Sequence, residues 1–220
     1  MKIQTTQSAR YEPLARIGKA LSSPHRLAIL DLLAQAEKNV EALATSLNID
    51  MRLASAHLRQ LREAGLVETR RQGRQIHYRL ADTTIEPLIG SLRATAEQHL
   101  AGLAERAAEL RDARELDVND ADTLLRRAAR REVLVIDVRP ADEYATAHLP
   151  GARSIPLAEL RQQLEQLPPD VEIVAYCRGP FCVMSDEAVA LLRQQGLRAS
   201  KLRDGVSEWR AAGLPLESAA

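Results

Sequence analysis

The spacing of apolar residues divides the first eighty positions into short helices followed by a hairpin. Leu27, Leu30 and Leu33 recur at helical spacing, with Ile29 and Leu32 widening the stripe, and Ser22-Ser23-Pro24 offers a capping serine and then proline at the first helical position. A second helix is predicted over about Val40 to Leu47, with Leu43 and Leu47 four apart. Asn48-Ile49-Asp50 forms a tight turn with Asp50 as candidate N-cap. A third helix runs to about Ala64, with Ala54, Leu58 and Leu61 inward and Gly65 suited to its C′ position. The period then changes to alternation: Leu66, Val67 and Thr69 lead into a turn at Gly73, and Ile76, Tyr78 and Leu80 lead out, the pattern of a β-hairpin.

Two short helices, a three-residue turn and a third helix meet the requirement for a helix-turn-helix, and the added hairpin makes it a winged helix. Residues 85–114 carry the longest helical pattern, through Ile85, Leu88, Ile89, Leu92, Ala96, Leu100, Leu103, Ala107 and Leu110. Pro87 is tolerated because it falls in the first turn. Such a stripe needs cover. A homodimer supplies it and presents two reading heads to a palindromic site; packing within one chain is the alternative.

Around Glu115–Asn119 the pattern changes again, placing a boundary between a mainly α domain of residues 1–115 and an α/β domain of residues 116–220. Asp120 is a candidate cap for a short helix ending in Arg126-Arg127. Val133–Ile136 is a continuous apolar run, as a strand buried on both faces requires. After the Pro168-Pro169-Asp170 turn, Val171–Tyr176 is a second such strand, Ser185–Gln195 a helix stopped by Gly196, Ala199–Leu202 a third strand and Val206–Ala212 a last helix before Gly213. Strands alternating with helices imply a parallel α/β sheet.

Composition narrows the function classes. No run of about 18 uncharged apolar residues is present, and the first residues lack an apolar stretch of signal-peptide length, so a cytoplasmic protein with no membrane partner is expected. The net charge of zero hides an asymmetry: residues 1–115 carry 17 Lys/Arg against 14 Asp/Glu, and residues 116–220 carry 13 against 16. Between Arg52 and Arg79 seven arginines face only Glu63 and Glu68, which suits either a polyanion or a solvated charged face. The two cysteines, Cys177 and Cys182, lie five positions apart, pointing to local chemistry in a reducing compartment.

Cys177 follows the second strand directly, at the carboxyl end where open α/β sheets place ligands. The loop Arg178-Gly179-Pro180-Phe181-Cys182-Val183 then enters a helix. Curled loop amides, the helix N-terminus and Arg178 are each expected to lower the pKa of Cys177 and favour its nucleophilic thiolate.

Two family resemblances sharpen these readings. ALSSPHRLAILDLL, VEALATSLNI and ASAHLRQLREAGLVETRRQGRQIHYRL resemble the ArsR family of winged-helix repressors over about residues 12–112. The resemblance implies that the helix around Met51–Leu61 enters the major groove of double-stranded operator DNA. Arg52, Ser55, His57 and Arg59 would then face bases or nearby backbone, and Arg70, Arg71, Arg74 and Gln75 would contact phosphates or the minor groove. Arginine suits both tasks, as a bidentate donor to guanine and a fixed charge for phosphate. Met51 and Leu53 stand where the family is usually polar, and His57 has a second reading as a packing residue. Many ArsR-like repressors sense metals through cysteines. The first half has none, and its histidines lack compact ligand spacing, so neither a metal site there nor a cofactor is expected.

LVIDVRPADEYATAHLPGARSIPL, IVAYCRGPFC and LRDGVSEWRAAGLPL resemble the rhodanese (sulfurtransferase) family over about residues 116–217. The resemblance implies that Cys177 accepts a sulfane sulfur from a donor and passes it to an acceptor such as a small thiol. The amides of Arg178 to Val183 would stabilise the charged sulfur, and Asp137 and Arg139 would shape the site from the neighbouring strand end. Trp209 reads as core. Ala147 and Asp204 stand where glycines are common. Cys182 has two readings, a resolving partner that forms a Cys177–Cys182 disulfide or an inert loop residue.

The joined reading is a DNA-binding transcriptional regulator responsive to reactive sulfur or redox state. The alternatives are a sulfane sulfurtransferase carrying a DNA-binding domain, and a sensor of a thiophilic ion held by two thiolates.

Overall fold

The computed structural model describes residues 2–100 and 116–219, apart from the side chains of residues 2–7 and 118. The chain divides into two compact units, Met1–Leu92 and Arg93–Ala220.

The first unit opens with α1 (Lys2–Leu21), which carries Pro13 in its interior and which the apolar spacing did not reveal. It continues through α2 (Pro24–Gln35), β1 (Lys38–Asn39), α3 (Val40–Leu47), α4 (Met51–Glu63), β2 (Val67–Gln72), β3 (Gln75–Leu80) and α5 (Ile85–His99). Ser23 occupies the N-cap of α2 with Pro24 behind it, but its side chain makes no capping bond. Asn39 and Asp50 do cap: their carboxamide and carboxylate oxygens accept from the N–H groups of Ala42 and Arg52 at 2.8 and 2.7 Å. Asn48 takes the left-handed conformation that turns α3 into the approach to α4.

The predicted inward positions form the core. Ile29, Leu30, Leu32 and Leu33 of α2, Leu43 of α3, and Leu58 and Leu61 of α4 pack with Leu66, Val67, Ile85 and Ile89. β2 and β3 pair antiparallel with Gln72 opposite Gln75, leaving a two-residue turn whose first residue, Gly73, has φ 62°. β1 adds to the far side of β3, giving the order β1-β3-β2; its two residues are too few for a periodic signal. Leu103, Ala107 and Leu110, the later part of the expected long helix, lie outside the described residues.

The second unit runs through a 3₁₀ turn (Val118–Asp120), α6 (Ala121–Ala129), β4 (Val133–Asp137), α7 (Ala141–Thr146), β5 (Arg153–Ser154), α8 (Leu157–Gln163), β6 (Glu172–Tyr176), α9 (Met184–Gln194), β7 (Ala199–Lys201) and α10 (Val206–Ala211). Asp120 does not cap α6 with its side chain; its carboxylate accepts from the Asp117 N–H at 3.1 Å.

Among the described residues β5, β4, β6 and β7 form a parallel sheet in that order. Alternation sends neighbours to opposite faces. Ile136, Ile173 and Ala175 pack with Leu160 of α8 and with Ala188 and Leu192 of α9. Val133, Val135, Val174 and Tyr176 pack with Leu124 of α6 and Trp209 of α10. Both faces are covered, which is why the strands read as unbroken apolar runs.

Candidate functional site

Two sets of side chains stand out, one on α4 and the β2–β3 hairpin, the other in the loop between β6 and α9. On α4, Ala54, Leu58 and Leu61 are fully buried, and this stripe turns Arg52, Ser55 and Arg59 outward. Met51 and Leu53 are exposed beside them. His57 departs from its expected base-facing role. It lies three residues after Ala54 and one before Leu58, at the edge of the inner stripe, and both its ring nitrogens are buried without a hydrogen-bond partner. Its ring stacks on His25 with centroids 5.3 Å apart. Burial, then the neighbouring His25 and Arg26, lower its pKa, which together with the ring stacking favours its second reading, as a packing residue.

On the hairpin, Arg70, Arg71, Arg74 and Gln75 are all exposed. Their positive field is partly answered from within the unit. Arg70 donates twice to Glu37 Oε2, at 3.0 and 2.8 Å, and Arg79 pairs with Glu68. Glu37 escaped the sequence reading because it lies 33 positions before Arg70 and comes near only through the β1–β3 pairing.

The second site begins where β6 ends. Asp137 and Tyr176 pair across β4 and β6, and the chain past Tyr176 turns into the loop. Gly179 holds φ 124°, and a Cβ there would stand 2.6 Å from a Glu208 carboxylate oxygen, so only glycine fits. Gly205 approaches the loop from behind: a Cβ on it would lie 2.7 Å from the Cys177 carbonyl oxygen. The Cys182 N–H donates to the Gly179 carbonyl at 3.0 Å, and Pro180 has no N–H, so these two positions give an anion no amide. Phe181 and Val183 are exposed.

The two sulfurs sit differently. Cys177 is 1% exposed. It follows Ile173 and Ala175 at two-residue spacing and packs with them against the α9 side of the sheet. Its Sγ lies 3.1 Å from the buried Ser185 Oγ and 3.4 Å from the Cys182 carbonyl oxygen. Cys182 is only half-buried. The Cys177 thiol donates to the backbone of Cys182, which ties the two residues together within the loop.

This arrangement reverses the expected ionisation. The hydrogen bond with Cys177, outweighing the cost of burial and helped by the Arg178 and Met184 N–H groups and the Arg178 charge, brings Cys182 down to about 6. Cys177 is pushed up, by its hydrogen bond to Cys182 and then by burial, despite the bonds from Ser185. The loop amides and Arg178 act as anticipated, but on Cys182. Ser185 was not singled out in the sequence, because only the fold brings this first-turn residue of α9 to the sulfur.

Asp137 and Arg139 are wholly buried and occupied with one another, Arg139 Nη2 donating to Asp137 Oδ2 at 2.6 Å. Arg139 also donates to the Ala147 carbonyl at 2.7 Å, and Tyr176 Oη to Asp137 at 2.6 Å. The cluster fixes the end of β4 beside the end of β6. Arg178 is pinned by two hydrogen bonds, at 2.9 and 2.7 Å, to the carboxylate of fully buried Glu143, another residue the sequence reading left out. Its charge is thus largely matched before any ligand arrives. Trp209 is core, as expected.

A helix-turn-helix with a basic wing, joined to a parallel sheet with a cysteine loop at its carboxyl end, defines a two-domain transcriptional regulator. The family models agree: "Bacterial regulatory protein, arsR family" matches residues 23–69 and "Rhodanese-like domain" matches residues 120–212. The HTH-type transcriptional regulator Rv0324 of Mycobacterium tuberculosis is 45% identical over 97% of this chain and 94% of its own length. The chain therefore belongs to the ArsR family of regulators, in the form that carries a C-terminal rhodanese-like domain. A protein called sulfurtransferase from Allochromatium vinosum is 35% identical over 44% of this chain and 91% of its own. The solution structure of the homodimeric winged helix-turn-helix DNA-binding domain of Mb0332 from Mycobacterium bovis is 44% identical, covers 43% of this chain and 87% of its own, and has a TM-score of 0.41.

Proposed function

We propose that this regulator binds double-stranded operator DNA as a homodimer in the cytoplasm and changes its affinity when reactive sulfur or oxidation alters the Cys177–Cys182 pair. The observation that carries this reading is the placement of two free cysteines in one loop, with the Cys177 sulfur 3.4 Å from the Cys182 carbonyl oxygen. A thiolate held beside a thiol is placed to accept a sulfane sulfur and then expel it as hydrosulfide on closing a disulfide.

Dimerisation is supported by apolar side chains left uncovered in one chain, Tyr11 and Leu14 on α1 and Leu88 and Leu92 on α5. DNA contact is assigned to Arg52, Ser55 and Arg59 on α4 and to Arg70, Arg71, Arg74 and Gln75 on the wing. A division into residues 1–115 and 116–220 keeps the whole apolar stripe of residues 85–114 with the DNA-binding part.

The test is the affinity of the full-length protein for its operator in three states: reduced, treated with a low-molecular-weight hydropersulfide, and oxidised to the disulfide. A shift of tenfold or more, about 1.4 kcal/mol, in either modified state is expected. Equal affinity in all three defeats the sensing reading. Repeated turnover of a sulfane donor, rather than one stoichiometric modification, would favour a sulfurtransferase.

A further inference from the structure

The start of α4 carries the DNA reading a step further. We propose that Met51 and Leu53 read thymine C5-methyl groups in the major groove of each operator half-site. The assignment rests on the reading that α4 meets operator DNA.

Position comes first. Met51 and Leu53 are the first and third residues of α4, and a recognition helix brings its N-terminal residues to base edges. They are 50% and 41% exposed, off the buried stripe of Ala54, Leu58 and Leu61. Unlike Tyr11, Leu14, Leu88 and Leu92, they lie on neither α1 nor α5, the helices to which dimer contacts are assigned. Charge comes second. Exposed Arg52 lies between them in the chain and exposed Arg59 follows on the same helix, so these apolar side chains sit in a surface that carries the charge a polyanion requires.

Chemistry comes third. The leucine side chain has no hydrogen-bonding atom, and the methionine thioether is only a weak acceptor. Facing a base edge, both offer little beyond apolar contact, and the apolar group that the major groove displays is the thymine methyl. A cytosine at the same place would present its N4 amino group to an apolar side chain and lose water without gaining an acceptor. The two residues therefore select thymine over cytosine at the positions they cover.

The test uses the full-length protein and the duplex that it enriches from random-sequence DNA. Each thymine of a half-site is replaced in turn by deoxyuridine, which keeps the pairing edge and lacks the methyl. At one or two positions wild-type affinity is expected to fall about fourfold, the contribution of one buried methyl. Cytosine there should bind more weakly still, and 5-methylcytosine should recover part of the loss. Met51→Ala or Leu53→Ala should bind the thymine and uracil duplexes equally at the position that each reads, and should keep wild-type affinity for a duplex of scrambled sequence. No uracil-sensitive position in the wild type, or a sensitivity that survives in both variants, overturns the assignment. An equal loss on scrambled DNA also overturns it, because the side chains would then serve binding in general. So does a shift of either free variant from dimer to monomer in sedimentation, which would make them protein contacts. A selection that enriches no sequence defeats operator reading by α4 as a whole, whereas methyl-insensitive binding to an enriched duplex defeats this assignment alone.

Discussion

The two units present their chemistry in opposite ways. In the winged-helix unit the candidate side chains are exposed, among them Arg52, Ser55, Arg59, Arg71 and Arg74, and the fold only has to supply a platform. In the rhodanese-like unit the candidate groups are enclosed, and each is held by a neighbour: Arg178 by Glu143, Arg139 by Asp137, Cys177 by Ser185 and the Cys182 carbonyl. An exposed basic surface tolerates the loss of one member, because each phosphate contact contributes separately. An enclosed polar cluster does not, because removing one partner leaves another buried without compensation.

The largest expected effect tests the enclosed side of that contrast. Asp137→Ala strands the wholly buried Arg139 guanidinium and the Tyr176 hydroxyl, and breaking such a pair costs about 3–5 kcal/mol. Scanning calorimetry should show the transition of the second unit falling sharply, with that of the first unchanged; a common shift would mean that the two units unfold as one.

An intermediate effect belongs to the exposed side. Arg52→Ala and Arg59→Ala should each cost roughly 1–3 kcal/mol of operator binding if they read bases, and less, with a flatter salt dependence, if they hold phosphates. Both should leave thiol alkylation unaltered. A change in Cys182 reactivity would break the separation between surface and loop.

The smallest effect lies in the wing. Glu37→Gln removes the carboxylate that engages Arg70, an exposed pair worth about 0–1 kcal/mol, and frees a cation for phosphate. DNA binding should tighten by up to about fivefold at low salt, with the gain fading as salt rises. Weaker binding would show that Glu37 instead holds Arg70 in its productive orientation.

The helices and strands with clear periodicity were legible in the chain. Ala54, Leu58 and Leu61 announced the inner face of α4, and thereby which arginines face out. Val133–Ile136 and Val171–Tyr176 announced strands covered on both sides. Short or weakly patterned elements were not legible: β1 and β5 have two residues each, too few for any period to register, and α1 mixes polar and apolar residues without a strong stripe. His57 shows the limit within a well-read helix, since one step around the axis separates a base-facing side chain from a packed one.

By itself the sequence determined the two-part architecture, the basic face and the position of a cysteine-bearing loop at the carboxyl end of a strand. Such features follow from period, turn residues and local charge, all properties of neighbours in the chain. Tertiary structure alone decided the surroundings of each sulfur, because these come from groups brought together from β6, the loop and the first turn of α9. Cys177 inherits the buried face of its strand, and burial pushes its thiol pKa up, whereas Cys182 is half-buried beside Arg178, whose charge pulls its pKa down. A thiolate persists where dipoles and partial solvation offset the cost of holding its charge, and that balance is set by packing.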